Sequence, residues 1–202
     1  DNAMREEAFS FYGLDPLKKH IFIVGGSLGS RTLNEAMMKW ISDGCPGGEN
    51  TQIIWQCGKY YKPSVEAFMQ EATRSGKAPE TLSGIQFSDF IKRMDLAYAA
   101  ADVVISRSGA SSISELCAAH KAAIFVPSPN VAEDHQTHNA MALANKGAAI
   151  VVKDSEASAK LMETACRLLS EPGKIAEMEK NIAALAKTDA AASIAEEVYR
   201  II

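Results

Sequence analysis

Short apolar runs alternate with longer amphipathic stretches along most of the chain. His20–Val24 (HIFIV), Gln52–Cys57, Asp102–Ser106, Ala123–Val126 and Ala148–Val152 are compact apolar blocks bounded by turn residues. Gly84–Ser88 is a shorter, partly polar one. Such blocks predict buried strands. Between them the apolar spacing changes to that of helices. Arg31–Ser42 would turn Leu33, Met37, Met38 and Ile41 inward, and Tyr60–Ser75 would bury Val65, Phe68, Met69 and Ala72. A helix entered through Asp89-Phe90-Ile91 runs to about Ala101 and packs through Met94, Leu96, Ala97 and Ala100. Ser108–Ser112 is a small-residue turn opening a helix to about Ala119, and Asp134–Lys146 is a helix closed by Gly147. Gly44–Asn50 and Gly76–Ser83 read as loops. Ahead of the first strand, Arg5–Tyr12 has helical spacing and is broken by Gly13, Asp15 and Pro16. The tail reads as three helices, Ser155–Ser170, Gly173–Lys187 and Ala190–Ile202, with Asp189 able to cap the last. Six strands alternating with helices predict a parallel sheet covered on both faces, a Rossmann-like three-layer α/β/α domain.

Composition narrows the classes. A length of 202 residues fits one domain with a sizeable core. The net charge is −4 with Lys and Arg dispersed, which argues against a nucleic-acid partner. Cys45, Cys57, Cys117 and Cys166 lie far apart with no CxxC pair, so reduced thiols are expected rather than a metal site. No apolar run approaches the ~20 residues that span a bilayer, and no signal peptide is visible. Asp1-Asn2-Ala3 ahead of Met4 reads as a cloning scar. Residues 4–202 are then the domain, one expected to be excised from a longer protein.

The chemistry concentrates in residues 102–139. Strand, small-residue turn, helix and strand make a βαβ unit, whose ligands bind beyond the carboxyl ends of the strands. The turn Ser108-Gly109-Ala110-Ser111-Ser112 offers orphan N–H groups and the positive end of a helix, a site suited to phosphate. The same residue types would serve as plain N-caps. Glu115, one turn on, can accept two hydrogen bonds from a vicinal diol, or stand as an ordinary exposed carboxylate. Gly25-Gly26-Ser27-Leu28-Gly29-Ser30 is a second strand-to-helix turn where glycine permits close approach of an anion. Taken alone, those glycines could serve only a tight turn. The segment is neither GxGxxG nor a P-loop, which argues against a nicotinamide enzyme. Arg107 could contact a phosphate or equally pair with a carboxylate and hold the loop. His135 and His138, spaced i, i+3 near Glu133, lack the HExxH spacing, and no metal is expected.

Three of these segments, GGSLGSRTLN (25–34), SRSGASSISE (106–115) and VPSPNVAEDHQTHNA (126–140), closely resemble, in order and spacing, the C-terminal domain of the MurG-type glycosyltransferases. These are the bacterial N-acetylglucosaminyltransferases of peptidoglycan synthesis. The resemblance runs from about Ile21 to the end; no part of the chain resembles that family's N-terminal domain. His120-Lys121-Ala122 departs from the family's Gly-x-Pro, at the end of the sheet away from the ligand.

The resemblance implies the C-terminal, donor-binding half of a GT-B enzyme. Its donor substrate would be UDP-N-acetylglucosamine, with no cofactor and no metal. By the family pattern Gly26, Ser27, Ala110, Ser111 and Ser112 face the UDP diphosphate. Glu115 binds the ribose hydroxyls, and Phe90 and Ile91 hold the uracil, although from the residues alone the last two could also be core apolar positions. His135, Gln136 and Asn139 border the N-acetylglucosamine. An N-terminal domain would bind lipid I, meet the membrane and supply the general base, so no catalytic residue is assigned here. The full-length protein would then work in the cytoplasm at the inner face of the cell membrane, without membrane insertion by this domain. The alternative is a soluble nucleotide-sugar-binding subunit of a two-subunit N-acetylglucosaminyltransferase.

Overall fold

The computed structural model describes residues 2–201, and within them six strands form one parallel sheet. The strands are β1 (Lys19–Val24), β2 (Thr51–Gln56), β3 (Ile85–Ser88), β4 (Val103–Ser106), β5 (Ala123–Phe125) and β6 (Ala149–Val151), in the order β3-β2-β1-β4-β5-β6. Every neighbouring pair is parallel. The helices are α1 (Asn2–Tyr12), α2 (Arg31–Ser42), α3 (Lys62–Ser75), α4 (Pro79–Ser83), α5 (Met94–Ala100), α6 (Ala110–Ala119), α7 (His135–Ala144), α8 (Ala157–Leu169), α9 (Pro172–Ala183) and α10 (Ala190–Ile201).

β1 shows why the sheet needs cover on both sides. His20 through Val24 are all buried. Alternation sends Ile21 and Ile23 into a core with α2, α3 and α8, and Phe22 and Val24 into a second core with α1, α5, α6 and α9. Each fully buried large side chain of this kind contributes roughly 1.5–3 kcal/mol relative to its exposed state. The three-layer expectation therefore holds.

The departures are local. Pro79–Ser83, within the expected 76–83 loop, is a helix, because Pro79 opens it and Thr81 and Leu82 bury against the core. The helix expected from Tyr60 starts at Lys62, with Pro63 in its first turn. Asp154–Glu156 is a tight 3-10 turn rather than the start of α8. Asn2 and Ala3, set aside on sequence grounds, continue α1. Gly147 has φ +65 and follows α7 as expected, whereas His120 occupies the equivalent left-handed position after α6 at φ 53. All described α10 residues are exposed, including Ile194, Val198 and Ile201.

This topology decides where a ligand can go. Chain order runs outward from β1 through β2 to β3, then crosses back to β4 and runs outward the other way. The loops leaving β1 and β4 therefore diverge, and a crevice opens between them.

Candidate functional site

The loop after β1 is built by glycines with different duties. Gly29 has φ +77, and a Cβ on it would lie 2.3 Å from the Cys57 carbonyl oxygen and 2.8 Å from Gly58 Cα. Gly29 is therefore needed for packing the β1 and β2 loops together. Asn34 secures that contact: its amide donates to the Cys57 carbonyl at 2.9 Å and accepts from the Trp55 indole N–H at 2.9 Å. Gly26 differs. Its φ is +84 and nothing stands within 4 Å of a Cβ, so its open side faces the crevice.

The loop after β4 leads into α6. The N-cap is Gly109, in extended conformation, and no side chain caps the helix. Ser111 and Ser112 are thus not the caps, and the first-turn N–H groups remain open to an anion. By contrast Ser30 does cap α2, accepting from the Leu33 N–H at 3.4 Å. Of the two helix starts at the switch point, α6 is the one left without a capping side chain.

Two adjoining cavities open here. One of about 730 Å³ is lined by the 25–32 loop, Tyr61, Arg107, Gly109, Ser128, Asn130, Gln136 and Asp154. One of about 270 Å³ is lined by Val24, Gln56, Phe90, Ile91, Met94, Tyr98 and Glu115. Gly26, Ser27, Ser111 and Ser112 border both. The arrangement suits an elongated ligand with its anionic middle at the α6 N-terminus, one end in the smaller cavity and the other in the larger.

In the smaller cavity Ile91 is buried and Phe90 is 59% exposed at the lip. The Ile91 main chain enters no turn or ladder hydrogen bond among the described residues, so its N–H and C=O can read a planar polar edge. The segment is braced from behind: Tyr12 of α1 donates to the Arg93 carbonyl at 3.2 Å. Buried Gln56 ties the loops together, accepting from the Gly25 N–H at 3.0 Å and donating to the carbonyls of Gly26 at 2.9 Å and Asp89 at 3.1 Å. Glu115 is exposed on α6 and accepts from the Tyr98 phenol at 2.9 Å. Burial, then the adjacent carboxylate, push the Tyr98 phenol well above its ordinary value, so it stays a donor.

In the larger cavity Arg107 pairs with Asp154 and donates to the Val126 carbonyl at 2.9 Å. It holds the β4, β5 and β6 loops together while lining the cavity. The Gln136 amide oxygen accepts from the Ser128 N–H at 2.9 Å and the Ser108 N–H at 3.4 Å. Its donor end is what it can offer a ligand. Asn139 donates to the Ser108 carbonyl at 3.3 Å.

Of the expected residues, Gly26, Ser27, Phe90, Ile91, Ser111, Ser112, Glu115 and Gln136 line the cavities; Ala110, His135 and Asn139 line neither. His135 and His138 are exposed on α7. Gln56, Tyr98 and Asp154 were missed. The signal for Gln56 was a polar residue following the apolar run Ile53-Ile54-Trp55 at the carboxyl end of the strand, where loop backbone can satisfy it. Tyr98 lay among small packing residues, and no local pattern pairs it with Glu115. Among the described residues, no group of three or more His, Cys, Asp or Glu is arranged to hold a metal ion. No described helix is long and apolar enough to cross a membrane.

Comparison with known proteins gives the same outline. Residues 20–197 match the glycosyltransferase family 28 C-terminal domain. The chain is 50% identical over 194 residues to the UDP-N-acetylglucosamine--N-acetylmuramyl-(pentapeptide) pyrophosphoryl-undecaprenol N-acetylglucosamine transferase of Bacteroides thetaiotaomicron, covering 96% of this chain and 50% of that protein. It is 45% identical over 201 residues to the protein of the same name from Flavobacterium psychrophilum, covering 98% and 50%. The chain thus spans about half the length of these relatives. Among solved structures, Acinetobacter baumannii MurG superposes with a TM-score of 0.75 at 27% identity, over 96% of this chain and 53% of that one. The C-terminal CMP-Kdo binding domain of WaaA, also from Acinetobacter baumannii, superposes at 0.61 and 14% identity over 90% of this chain and 97% of that one, a likeness of fold alone. With the parallel sheet, the switch-point crevice and the family match in agreement, the chain belongs to the glycosyltransferase family 28 C-terminal domains of MurG type, the C-terminal half of a GT-B fold.

Proposed function

We propose that this chain binds UDP-N-acetylglucosamine as the donor half of an inverting glycosyltransferase that converts lipid I to lipid II. The observation that carries the reading is the uncapped α6 N-terminus between a small pocket bearing Glu115 and a larger polar one. The uridine fits the smaller cavity, with Phe90 and Ile91 at the base and Glu115 at the ribose. The diphosphate lies against Gly26, Ser27 and the α6 first turn, and the sugar extends toward Gln136. Asn139 acts on the sugar through the Ser108 loop that it braces, and His135 stands at the outer rim. The names of the relatives, at up to 50% identity, support this substrate.

Chemically, this half would stabilise the leaving group. As the anomeric bond breaks, charge grows on the UDP diphosphate. Preoriented N–H donors and a helix end meet that charge without reorganising. The acceptor, the general base and the membrane contact belong to the part of the enzyme that faces this crevice, with the site of action at the inner face of the cell membrane.

Titration calorimetry of this chain should register UDP and UDP-N-acetylglucosamine without added metal. In the same preparation, lipid I should not be converted to lipid II. Equal affinity for NADH, a strict Mg²⁺ requirement, or turnover by this chain alone would overturn the reading.

A further inference from the structure

We propose that Tyr98 is a positioning residue that makes the nucleoside pocket selective for ribonucleotides over deoxyribonucleotides, acting through Glu115. The proposal rests on the reading that the uridine of UDP occupies the smaller cavity.

Glu115 alone is a poor reader of a diol. It is exposed on α6, and an exposed glutamate samples many rotamers. Tyr98 is the opposite. Its side chain is 8% exposed, on α5, and packs edge-on against Phe22 at 5.5 Å and 74°. The ring cannot follow Glu115, so the bond of 2.9 Å from Oη to Oε2 holds the carboxylate in one place. Tyr98 lies on the helix that runs into β4 and Glu115 on the helix that runs out of it, and both line the smaller cavity.

The donor count follows. A phenol has one hydrogen, and Tyr98 spends it on Oε2. Oε1 and the second lone pair of Oε2 remain as acceptors on a residue that lines the cavity, as Tyr98 does. Two adjacent ribose hydroxyls supply two donors to these acceptors. A 2′-deoxyribose supplies one, leaving an acceptor that the bound nucleoside covers without a partner. Sites built to bond a hydroxyl reject analogues lacking it strongly for this reason.

The test is a double-mutant cycle on this chain, with Tyr98→Phe, Glu115→Ala and the pair, titrated with UDP and 2′-deoxy-UDP. Tyr98→Phe should lower UDP affinity about 3- to 10-fold and shrink the UDP preference, while 2′-deoxy-UDP binding changes less. Glu115→Ala should weaken UDP about 10- to 100-fold and abolish the preference. The double variant should bind UDP no worse than Glu115→Ala alone, because Tyr98 then has nothing to hold. Additive losses, or an unchanged preference in a folded Tyr98→Phe, would overturn the proposal. If Tyr98→Phe does not fold, tyrosine ¹³Cζ resonances of the parent chain decide. UDP must shift the Tyr98 signal and saturating 2′,3′-dideoxy-UDP must shift it less; equal shifts overturn the proposal. Failure of the parent to bind UDP would instead remove the underlying reading, before Tyr98 is in question.

Discussion

Asp102, just ahead of β4, carries a stabilising contact at the end of the sheet away from the crevice. Its carboxylate accepts from Arg5 at 2.6 Å and from the His20 main-chain N–H at 2.8 Å. The buried His20 ring lies 3.7 Å away. Burial alone would push the carboxyl up; the His20 ring, the Arg5 guanidinium and the His20 N–H outweigh it and hold the group down at about 2. A carboxyl with a depressed folded value stabilises the protein above its unfolded value, near 4, and that stability is lost as pH falls through the folded value. The contribution is roughly 2 kcal/mol near neutrality and should vanish between about pH 4 and pH 2. Thermal melts against pH check this. Asp102→Asn should melt lower than the parent at pH 7, and the two curves should converge toward pH 2. Parallel curves across that range would show that Asp102 contributes no such term. None of this was legible in the sequence, because Arg5, His20 and Asp102 meet only through the α1–β1–β4 packing.

Among the elements, the strand-to-helix turns were the most legible parts of the site, and the duties of their residues the least. Gly26 and Gly29 look alike in GGSLGS, yet one faces open space and the other touches backbone. Gly29→Ala combines positive-φ strain with a clash against Cys57 and Gly58. It should cost roughly 2–4 kcal/mol and lower the melting temperature by about 5–15 °C. Gly26→Ala carries the strain alone, about 1 kcal/mol, but sets a methyl group in the crevice and should weaken UDP binding more than folding. Differential scanning calorimetry beside UDP titration distinguishes them, and equal melting losses would contradict the assigned duties. The Ser111 and Ser112 alternatives were open for the same reason. Caps and anion sites draw on the same residue types, and only the observed Gly109 cap separates them.

For the molecule as a whole, the exposed final helix matters most. An amphipathic helix usually gains its stability by packing its apolar face. In α10 the stripe of Ile194, Val198 and Ile201 is 65%, 49% and 84% exposed. Removing residues after Lys187 should therefore leave the melting temperature within about 2 °C of the parent, since little apolar area is lost. The same truncation should reduce self-association in sedimentation velocity, because an uncovered apolar stripe is a contact surface. A large fall in melting temperature would mean that α10 packs on the domain in solution.

The sequence by itself determined the layer architecture, because apolar period and turn chemistry are local properties that a single chain displays. It displayed the βαβ unit that carries the candidate site for the same reason: a small-residue turn opening a helix is a local pattern, one that serves a plain N-cap as readily as an anion site. Recognition of three ordered motifs supplied the family. Only the tertiary structure decided which switch-point loops meet, which turns glycine must occupy and which side chains are held. Tyr98 with Glu115, Arg107 with Asp154, and Gln56 with the two loops are partners 17, 47 and 30–33 residues apart in sequence. Hydrogen-bond pairing at such separations leaves no local periodicity, since it is created by strand order and by the burial that forces each polar atom to find a partner.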